Sequence, residues 1–282
     1  MSEQQVEMPI PEMPAVETAA PAVPAGRDWQ GWLVFVCGAG AMLWGLFGAL
    51  GSGWGLWDWT TGFAGLKWSS LLAAAGLVLG IFFSWRAAKT NRPRPRMLRW
   101  LGMLAALIYL GWMFSYLMLA WSSPAIHDVS TDLADPPEFT TLVLRTDNLD
   151  KVPGADDPAM KNMTPQQRWV MVHQKSYGDI RSVRINQPVS AVIEKAQRLA
   201  EARDWDIALA SPEQGRLEAT ATSALFRFKD DVVLRVRPTE NGQASIVDMR
   251  SVSRVGDNDL GTNAKRVREF LADLTGTVSP AS

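Results

Sequence analysis

Charged residues alternate along two neighbouring predicted strands near the C-terminal end of the chain. Arg235 and Arg237 are two positions apart, and so are Asp248 and Arg250. Because side chains i and i+2 of a strand point to the same face, each pair projects from one face of the sheet. Guanidinium groups bind phosphates and carboxylates through two parallel hydrogen bonds. The pattern predicts an anion-binding surface for a phosphate, a lipid headgroup or an acidic glycan.

A structural interpretation of the same four residues stays open. Arginine and aspartate on adjacent strands pair with each other, which stabilises a solvated sheet by about 0.2–1 kcal/mol per pair. In either interpretation the apolar side chains of these strands face the helices, and we expect the charged face to point outward. The apolar set is Val232, Leu234, Val236, Val247 and Met249.

A segment rich in glycine and acidic residues, 253–263, follows the second strand. Its turn-forming residues are Gly256 and Gly261, and its side-chain acceptors are Asp257, Asn258 and Asp259. One interpretation is a ligand-binding loop at a helix N-terminus. The other is a strand-to-helix connection in which Asp259 or Thr262 caps the helix and Arg254 ties the loop to the core. The candidate ligand-binding residues are Arg235, Arg237, Asp248, Arg250, Ser251, Ser253, Arg254, Asp259, Asn263 and Arg266.

Metal binding and catalysis find less support in the sequence. His127, Asp128 and Asp132 are weak metal-ligand candidates, because their spacing matches no strong metal-binding pattern. We expect no metal and no other cofactor. The adjacent carboxylates of Asp230 and Asp231 are better explained by a β-turn than by acid–base chemistry. A phosphate-binding glycine loop, a nucleophile elbow and a Cys/His pair are all missing from the sequence.

The elements that must position these residues form a predicted α+β domain over residues 164–282. The run Thr164-Pro165-Gln166-Gln167 predicts the start of a short helix. Alternating apolar residues predict strands near 180–186, 205–209, 217–221, 232–236 and 245–253, and apolar stripes predict helices from Pro188 and over about 262–274. This order predicts an antiparallel sheet with two main helices packed on one face. Residues 123–163 form a polar segment that wraps the domain or spaces it from the bilayer, with a short strand at about 139–145.

The first part of the chain has a different composition. Of the 13 tryptophans, 11 precede residue 122, and residues 30–84 contain only two charged side chains, Asp58 and Lys67. A membrane-spanning helix needs about 20 mainly apolar residues. Three segments, at about 31–51, 66–85 and 100–121, satisfy this requirement and have tryptophans at their ends. The sequence therefore predicts a transmembrane anchor of three helices over residues 29–122.

Charge in the connecting segments predicts the orientation of this anchor. Six cations lie between the second and third spans, whereas the loop between the first and second offers only Lys67, at the edge of the second span. Because cationic loops stay in the cytoplasm, the N-terminus is predicted inside the cell and the C-terminal domain in the periplasm of a Gram-negative bacterium. Residues 1–28, rich in Pro, Ala and Glu, are expected to be a disordered cytoplasmic tail. The predicted location is the inner (cytoplasmic) membrane.

The run Asp248-Met249-Arg250-Ser251-Val252-Ser253-Arg254-Val255-Gly256 and the residues after it resemble the signature of the domain of unknown function 1499 family. The matching positions are Asp248, Arg250, Ser251, Ser253, Arg254, Gly256, Asp259, Gly261, Asn263 and Arg266. Residues 228–232 and Tyr177 also look like family features. Ala264 departs from the pattern, since many members have a basic residue there. The resemblance covers about residues 127–274, in the three-span, membrane-anchored form, and implies no particular activity.

The near-neutral net charge of −1 excludes a globally basic nucleic-acid-binding protein. Our leading hypothesis is an integral inner-membrane protein whose periplasmic domain binds a ligand, such as an anionic lipid or glycan, or an envelope protein. One alternative is a hydrolase that uses His127 with Asp128 or Asp259. The other is a structural subunit of a larger membrane assembly, which would dock through Gly76 and Gly80 on the second span.

Overall fold

A computed structural model describes residues 28–90 and 97–276. Three long helices come first: α1 (Trp29–Gly53), α2 (Trp59–Lys89) and α3 (Met97–Ser122). The remaining elements are β1 (Asp128–Ser130), α4 (Pro165–Tyr177), β2 (Val183–Ile185), α5 (Val189–Glu201), β3 (Asp206–Ser211), β4 (Arg216–Thr222), β5 (Lys229–Pro238), β6 (Ser245–Ser253) and α6 (Thr262–Thr275). The predicted α+β class with three preceding helices is confirmed.

All three N-terminal helices are long and apolar enough to cross a membrane. They contain 25, 31 and 26 residues and extend beyond the predicted spans at both ends. At about 1.5 Å per residue, each exceeds the hydrocarbon thickness of about 30 Å. The carboxylate of Asp28 accepts a hydrogen bond from the Gly31 N–H and so caps α1. The rest of the predicted disordered tail lies outside the described residues.

Small residues allow these three helices to pack closely. Gly76 and Gly80 of α2 are buried inside the bundle, where a Cβ atom would lie 2.6 Å from Cys37 and 2.5 Å from Met103, respectively. A buried hydrogen bond of 2.6 Å joins the hydroxyl groups of Ser69 and Tyr109. Since Gly76 and Gly80 already contact their own chain, they do not offer a free face for docking to another subunit.

The strands form one antiparallel sheet in the order β1-β6-β5-β4-β3, and β2 also pairs with β6 beyond the end of β1. The predicted strand over 245–253 is confirmed as β6, and the helix predicted from 262 is confirmed as α6. The predicted helix start at Thr164 is a capping box, in which Thr164 and Gln167 exchange hydrogen bonds. Residues 239–244 connect β5 and β6 as a hairpin, as the sequence around Gly242 predicted.

One face of the sheet packs on α5 and α6 and carries the apolar core. Leu217, Val232, Leu234, Val247 and Met249 are fully buried on this face. Helix α4 also contributes Trp169 to the core, beside the two main helices that the sequence predicted. The Trp169 indole N–H donates to the backbone carbonyl of Asp128 at the edge strand β1.

Two local predictions are wrong. Residues 139–145 form no strand, because successive backbone N–H groups there bond to the carboxylate of Glu218 rather than to a neighbouring strand. Asp230 and Asp231 lie within β5 and not in a β-turn, because the ladder to β6 continues to Ser253. The short strand β1, which holds Asp128, was not predicted.

The domain lies at the end of the bundle where α1 ends, α2 begins and α3 ends. The ring of Phe226, in the β4–β5 loop, is 4.8 Å from that of Phe63 in α2. A Cβ atom on Gly62 would lie 2.8 Å from the Phe226 ring, so the contact requires glycine there. The Asn258 side chain donates to the carbonyl of Ala120 near the end of α3. The end of α2 and the beginning of α3 lie at the other end of the bundle.

Candidate functional site

The charged face of the sheet is covered by the chain itself. Residues 131–150, which we call the covering segment, lie across it and contact β4, β5 and β6. The expectation that this face points outward is therefore wrong. Arg250 is only 8% exposed, and Asp248 and Glu218 are fully buried.

Arg250 and Asp128 form a buried ion pair with two hydrogen bonds. The Arg250 Nε and Nη2 atoms lie 2.9 and 2.6 Å from the two carboxylate oxygens of Asp128. The side chain of Asn148, in the covering segment, donates to the same carboxylate. Burial lowers the pKa of Arg250, but the charge of Asp128 and its hydrogen bonds outweigh burial, so the net pKa is raised. Arg250 already holds an anion of its own chain.

Arg235 and Arg237 meet at the carboxylate of Asp248. The Nη2 atoms of Arg235 and Arg237 lie 3.1 and 2.7 Å from the same Asp248 oxygen. Arg235 also bonds to Asp135, and Asp132 lies within 3.4 Å of it. The structural interpretation of cross-strand pairing thus describes this face, with acidic residues of the covering segment added.

The 253–263 segment is a strand-to-helix connection, in which Arg254 ties the loop to the sheet and Asp259 caps the helix. Arg254 bonds to both carboxylate oxygens of Asp231 on β5, at 2.8 Å each. The Asp259 carboxylate accepts hydrogen bonds from the backbone N–H groups of Gly261 and Asn263, at the start of α6. Burial raises the pKa of Asp259 despite these two bonds.

The other candidates lie on the opposite face, between β6 and α6. Asn263 is fully buried, bonds to the hydroxyl groups of Ser251 and Ser253, and donates to the carbonyl of His127. Arg266 reaches across to Asp230, with 2.6 Å between Nη2 and the carboxylate oxygen. Asp230 and Asp231 therefore each hold an arginine, on opposite faces of β5. The structure does not bring the ten candidates into one pocket.

The weak metal-ligand candidates do not converge either. His127 is buried, and neither of its ring nitrogens has a hydrogen-bond partner. Asp128 is occupied by Arg250, while Asp132 accepts backbone N–H groups of its own turn. Within the described ranges, no group of three or more His, Cys, Asp or Glu side chains is placed to hold a metal ion.

Glu218 is a buried carboxylate that the sequence did not single out. Four donors contact it: the hydroxyl of Thr140 and the backbone N–H groups of Thr140, Thr141 and Leu142, at 2.7–2.9 Å. Burial raises its pKa, but these hydrogen bonds outweigh burial and hold the pKa below its usual value. The apolar neighbours of Glu218 on β4 could have predicted that it is buried. They could not have predicted its partners, which lie 76–78 residues away in a segment without a recognisable pattern.

A cavity of about 490 Å³ lies where the domain meets the bundle. We call it the junction cavity. Its bundle side is lined by Ser52, Gly55, Trp57, Asp58 and Trp59, and its domain side by Phe226, Arg227, Phe228, Lys229, Arg254 and Val255. Stacked rings of Phe226 and Phe228, 5.2 Å apart, fix the β4–β5 loop against α2. Aromatic and cationic residues alternate at 226–229, but this pattern does not reveal the bundle side of the cavity.

The junction cavity contains cations that the fold does not use. Arg227 and Lys229 are exposed, and in the described part of the chain no ion pair involves either of them. Arg227 has a φ of 56°, in the left-handed region that non-glycine residues rarely adopt. Such strain persists only where the surroundings impose it, and it is concentrated at functional sites. Arg227 and Lys229 are therefore exposed hydrogen-bond donors without a carboxylate partner among the described residues.

Comparison with known families matches residues 128–274, just over half of the chain, to the family described as Protein of unknown function (DUF1499). No curated protein matches the chain. The matched region begins at β1 and ends within α6, so it contains the whole sheet and all ten candidate ligand-binding residues named from the sequence. The resemblance carried by the Asp248–Gly256 run is confirmed. The chain belongs to the DUF1499 family, whose function is unknown.

Proposed function

We propose that this protein is an integral inner-membrane protein whose α+β domain faces the periplasm and binds an anionic component of the envelope. The six cations within residues 86–99, where α2 ends and α3 begins, support this orientation, because cationic loops stay in the cytoplasm. The domain lies at the other end of the bundle, beside the α1–α2 connection, residues 54–58, which contains no basic residue.

The single observation that carries the binding proposal is the junction cavity. Its unpaired cations, Arg227 and Lys229, are available to a ligand, whereas Arg235, Arg237 and Arg250 on the sheet already bind carboxylates of the chain. An anionic group held by two cations and bordered by aromatic rings gains charge-assisted hydrogen bonds and apolar contact together. The proposed site therefore lies in the β4–β5 loop and not on the sheet face.

Native mass spectrometry of the protein extracted with its lipids tests the binding proposal. The wild-type chain is expected to retain an anionic molecule that the double variant Arg227→Asn/Lys229→Gln loses. Asparagine is used at 227 because it tolerates a positive φ. A control variant, Lys161→Gln/Lys175→Gln, removes two exposed cations far along the chain from the cavity. Equal retention by all three proteins would contradict the proposal.

The orientation has its own test. Cys37 is the only cysteine of the chain, so Cys37→Ala followed by Lys161→Cys gives a single reporter on the domain. A maleimide that cannot cross the inner membrane is expected to label this cysteine in cells with a permeabilised outer membrane. Labelling only after lysis of the inner membrane would place the domain in the cytoplasm.

A further inference from the structure

If α1, α2 and α3 span a bilayer, the end of the bundle that lines the junction cavity lies at the level of the headgroups. The cavity lies at the end of α1 and the beginning of α2, and three tryptophans, Trp54, Trp57 and Trp59, cluster at this end of the bundle. Tryptophan is enriched at the membrane–water interface, because its ring is amphipathic. The tryptophans therefore indicate that the cavity and the lipid headgroups of the adjacent leaflet lie at the same level.

The charges that line the cavity match one class of headgroup. Arg227 and Lys229 supply two unpaired positive charges, and Asp58 supplies one carboxylate on the opposite, bundle side. Asp58 makes no side-chain capping bond to α2, although it occupies the N-cap position. A monoanionic phosphodiester balances the excess of one positive charge. A hydroxyl group on the same headgroup can donate to Asp58.

Arg254 adds a third guanidinium whose orientation is fixed. It is held by Asp231, and its side chain is still 41% exposed at the cavity wall. The rings of Trp57, Trp59 and Phe228 supply apolar surface for the glycerol and the first acyl carbons of a lipid. The volume of about 490 Å³ falls within the range of about 300–1,000 Å³ typical of sites for small ligands.

We propose that the junction cavity is a binding site for an anionic phospholipid of the surrounding leaflet, with Arg227 and Lys229 binding the phosphodiester and Asp58 the headgroup hydroxyl. This inference rests on the proposed function, because it names the class of ligand for the same site. The acyl chains stay in the bilayer along the first turns of α2. The domain is thereby fastened to the membrane surface through lipid as well as through its own helices.

The test uses the full-length chain, delipidated in detergent and titrated separately with phosphatidylglycerol, phosphatidylethanolamine and phosphatidylcholine. Bound lipid is counted by native mass spectrometry. We expect phosphatidylglycerol to bind at least tenfold more tightly than either zwitterionic lipid. The variant Arg227→Asn/Lys229→Gln should lose this preference, and Lys161→Gln/Lys175→Gln should keep it. Asp58→Asn should weaken binding of phosphatidylglycerol, whose headgroup hydroxyl it contacts, and so reduce but not abolish its preference over phosphatidylcholine.

Two competition experiments distinguish a lipid headgroup from a soluble phosphate as the ligand. Glycerol phosphate and inorganic phosphate are expected to compete only at millimolar concentration, since they lack the acyl contacts. Competition by either at the lipid's own affinity would show a soluble phosphate site and overturn the lipid assignment. Equal binding of the three lipids would also overturn it. If the extracted protein nevertheless carries another anionic envelope molecule that the double variant loses, the proposed function stands and only the phospholipid assignment fails.

Discussion

Phe226 packs edge-on against Phe63, with 4.8 Å between the ring centroids, and so joins the β4–β5 loop to the start of α2. The two residues are 163 positions apart and belong to halves of the chain with opposite solvent preferences. Phe228 stacks on Phe226 and also contacts Phe63. This contact forms one wall of the junction cavity, so the site exists only when the two halves are joined.

Removing the Phe226 ring should loosen the loop without unfolding the sheet. Aromatic pairs contribute about 0.5–1.5 kcal/mol beyond their area burial, so we expect amide exchange of residues 223–228 to rise about tenfold in Phe226→Ala. Hydrogen-exchange mass spectrometry of the full chain in micelles measures this. Phe82→Ala, near the other end of α2, serves as the control and should leave the loop unchanged. Equal exchange in Phe226→Ala and wild type would show that the ring contact does not hold the junction.

Substituting either Arg250 or Asp128 alone is expected to destabilise the domain strongly, because the two form a buried ion pair. Removing one partner leaves an uncompensated buried charge, which costs about 3–5 kcal/mol. Arg250→Gln and Asp128→Asn should each reduce the free energy of opening of β6 by that amount, and the double variant by less than the sum. Lys265→Gln removes one partner of an exposed i,i+4 pair with Glu269 and should change stability by less than about 0.5 kcal/mol. Losses no larger than this control would refute the structural role of the pair.

Glu218 should fix the covering segment to the sheet. In Glu218→Gln an amide NH₂ group faces backbone donors, and each buried donor left without a partner costs about 1–3 kcal/mol. Faster exchange and proteolytic cleavage within residues 139–145 are expected. Glu194→Gln, on the exposed side of α5, is the matched control. Unchanged protection of the segment would mean that other contacts hold it in place.

Acid should destabilise the domain through His173. Burial lowers the pKa of this residue to about 4, and its Nε2 accepts the backbone N–H of Ser130. The folded state therefore prefers neutral histidine, so this contribution to stability is complete above about pH 6.5 and is lost as the pH falls towards 4. The loss reaches about 3 kcal/mol for a shift of this size.

The variant His173→Gln keeps an acceptor for Ser130 but cannot titrate. Its stability should change little between pH 6.5 and 4.5, where the wild type loses most of the His173 contribution. Below that, both proteins should lose stability, because protonating Glu218 removes an acceptor whose folded pKa is depressed. Parallel pH profiles for the two proteins throughout this range would contradict the role of His173.

The sequence predicted the elements better than the contacts between them. Local patterns sufficed for β6, the capping box at Thr164 and the three apolar helices, because each depends on residues close together in the chain. The covering segment could not be predicted, since its backbone bonds to a side chain 76–78 residues away. Arg250 illustrates the consequence. Its position in the strand was predicted, but its partner Asp128 lies on a three-residue strand without an alternating pattern.

The junction cavity was beyond sequence reasoning for a related reason. Its two sides come from the α1–α2 connection and the β4–β5 loop, and only folding brings these together. The sequence drew attention to arginines on the sheet, where guanidinium groups are most regularly spaced. The structure shows that regular spacing there serves internal pairing. Arg227 lies instead in the irregular β4–β5 loop and Lys229 at the first residue of β5, and among the described residues neither forms an ion pair.

The central claim, that the junction cavity holds an anionic envelope component, is tested most directly by crosslinking in living cells. Benzoylphenylalanine replaces Phe228, an aromatic residue of the cavity wall, and the molecules captured on irradiation are identified by mass spectrometry. We predict that anionic molecules dominate the adducts and that adding Arg227→Asn and Lys229→Gln to the same chain abolishes this enrichment. Adducts in the same proportions as the bulk membrane, unchanged by removal of the two cations, would contradict the account.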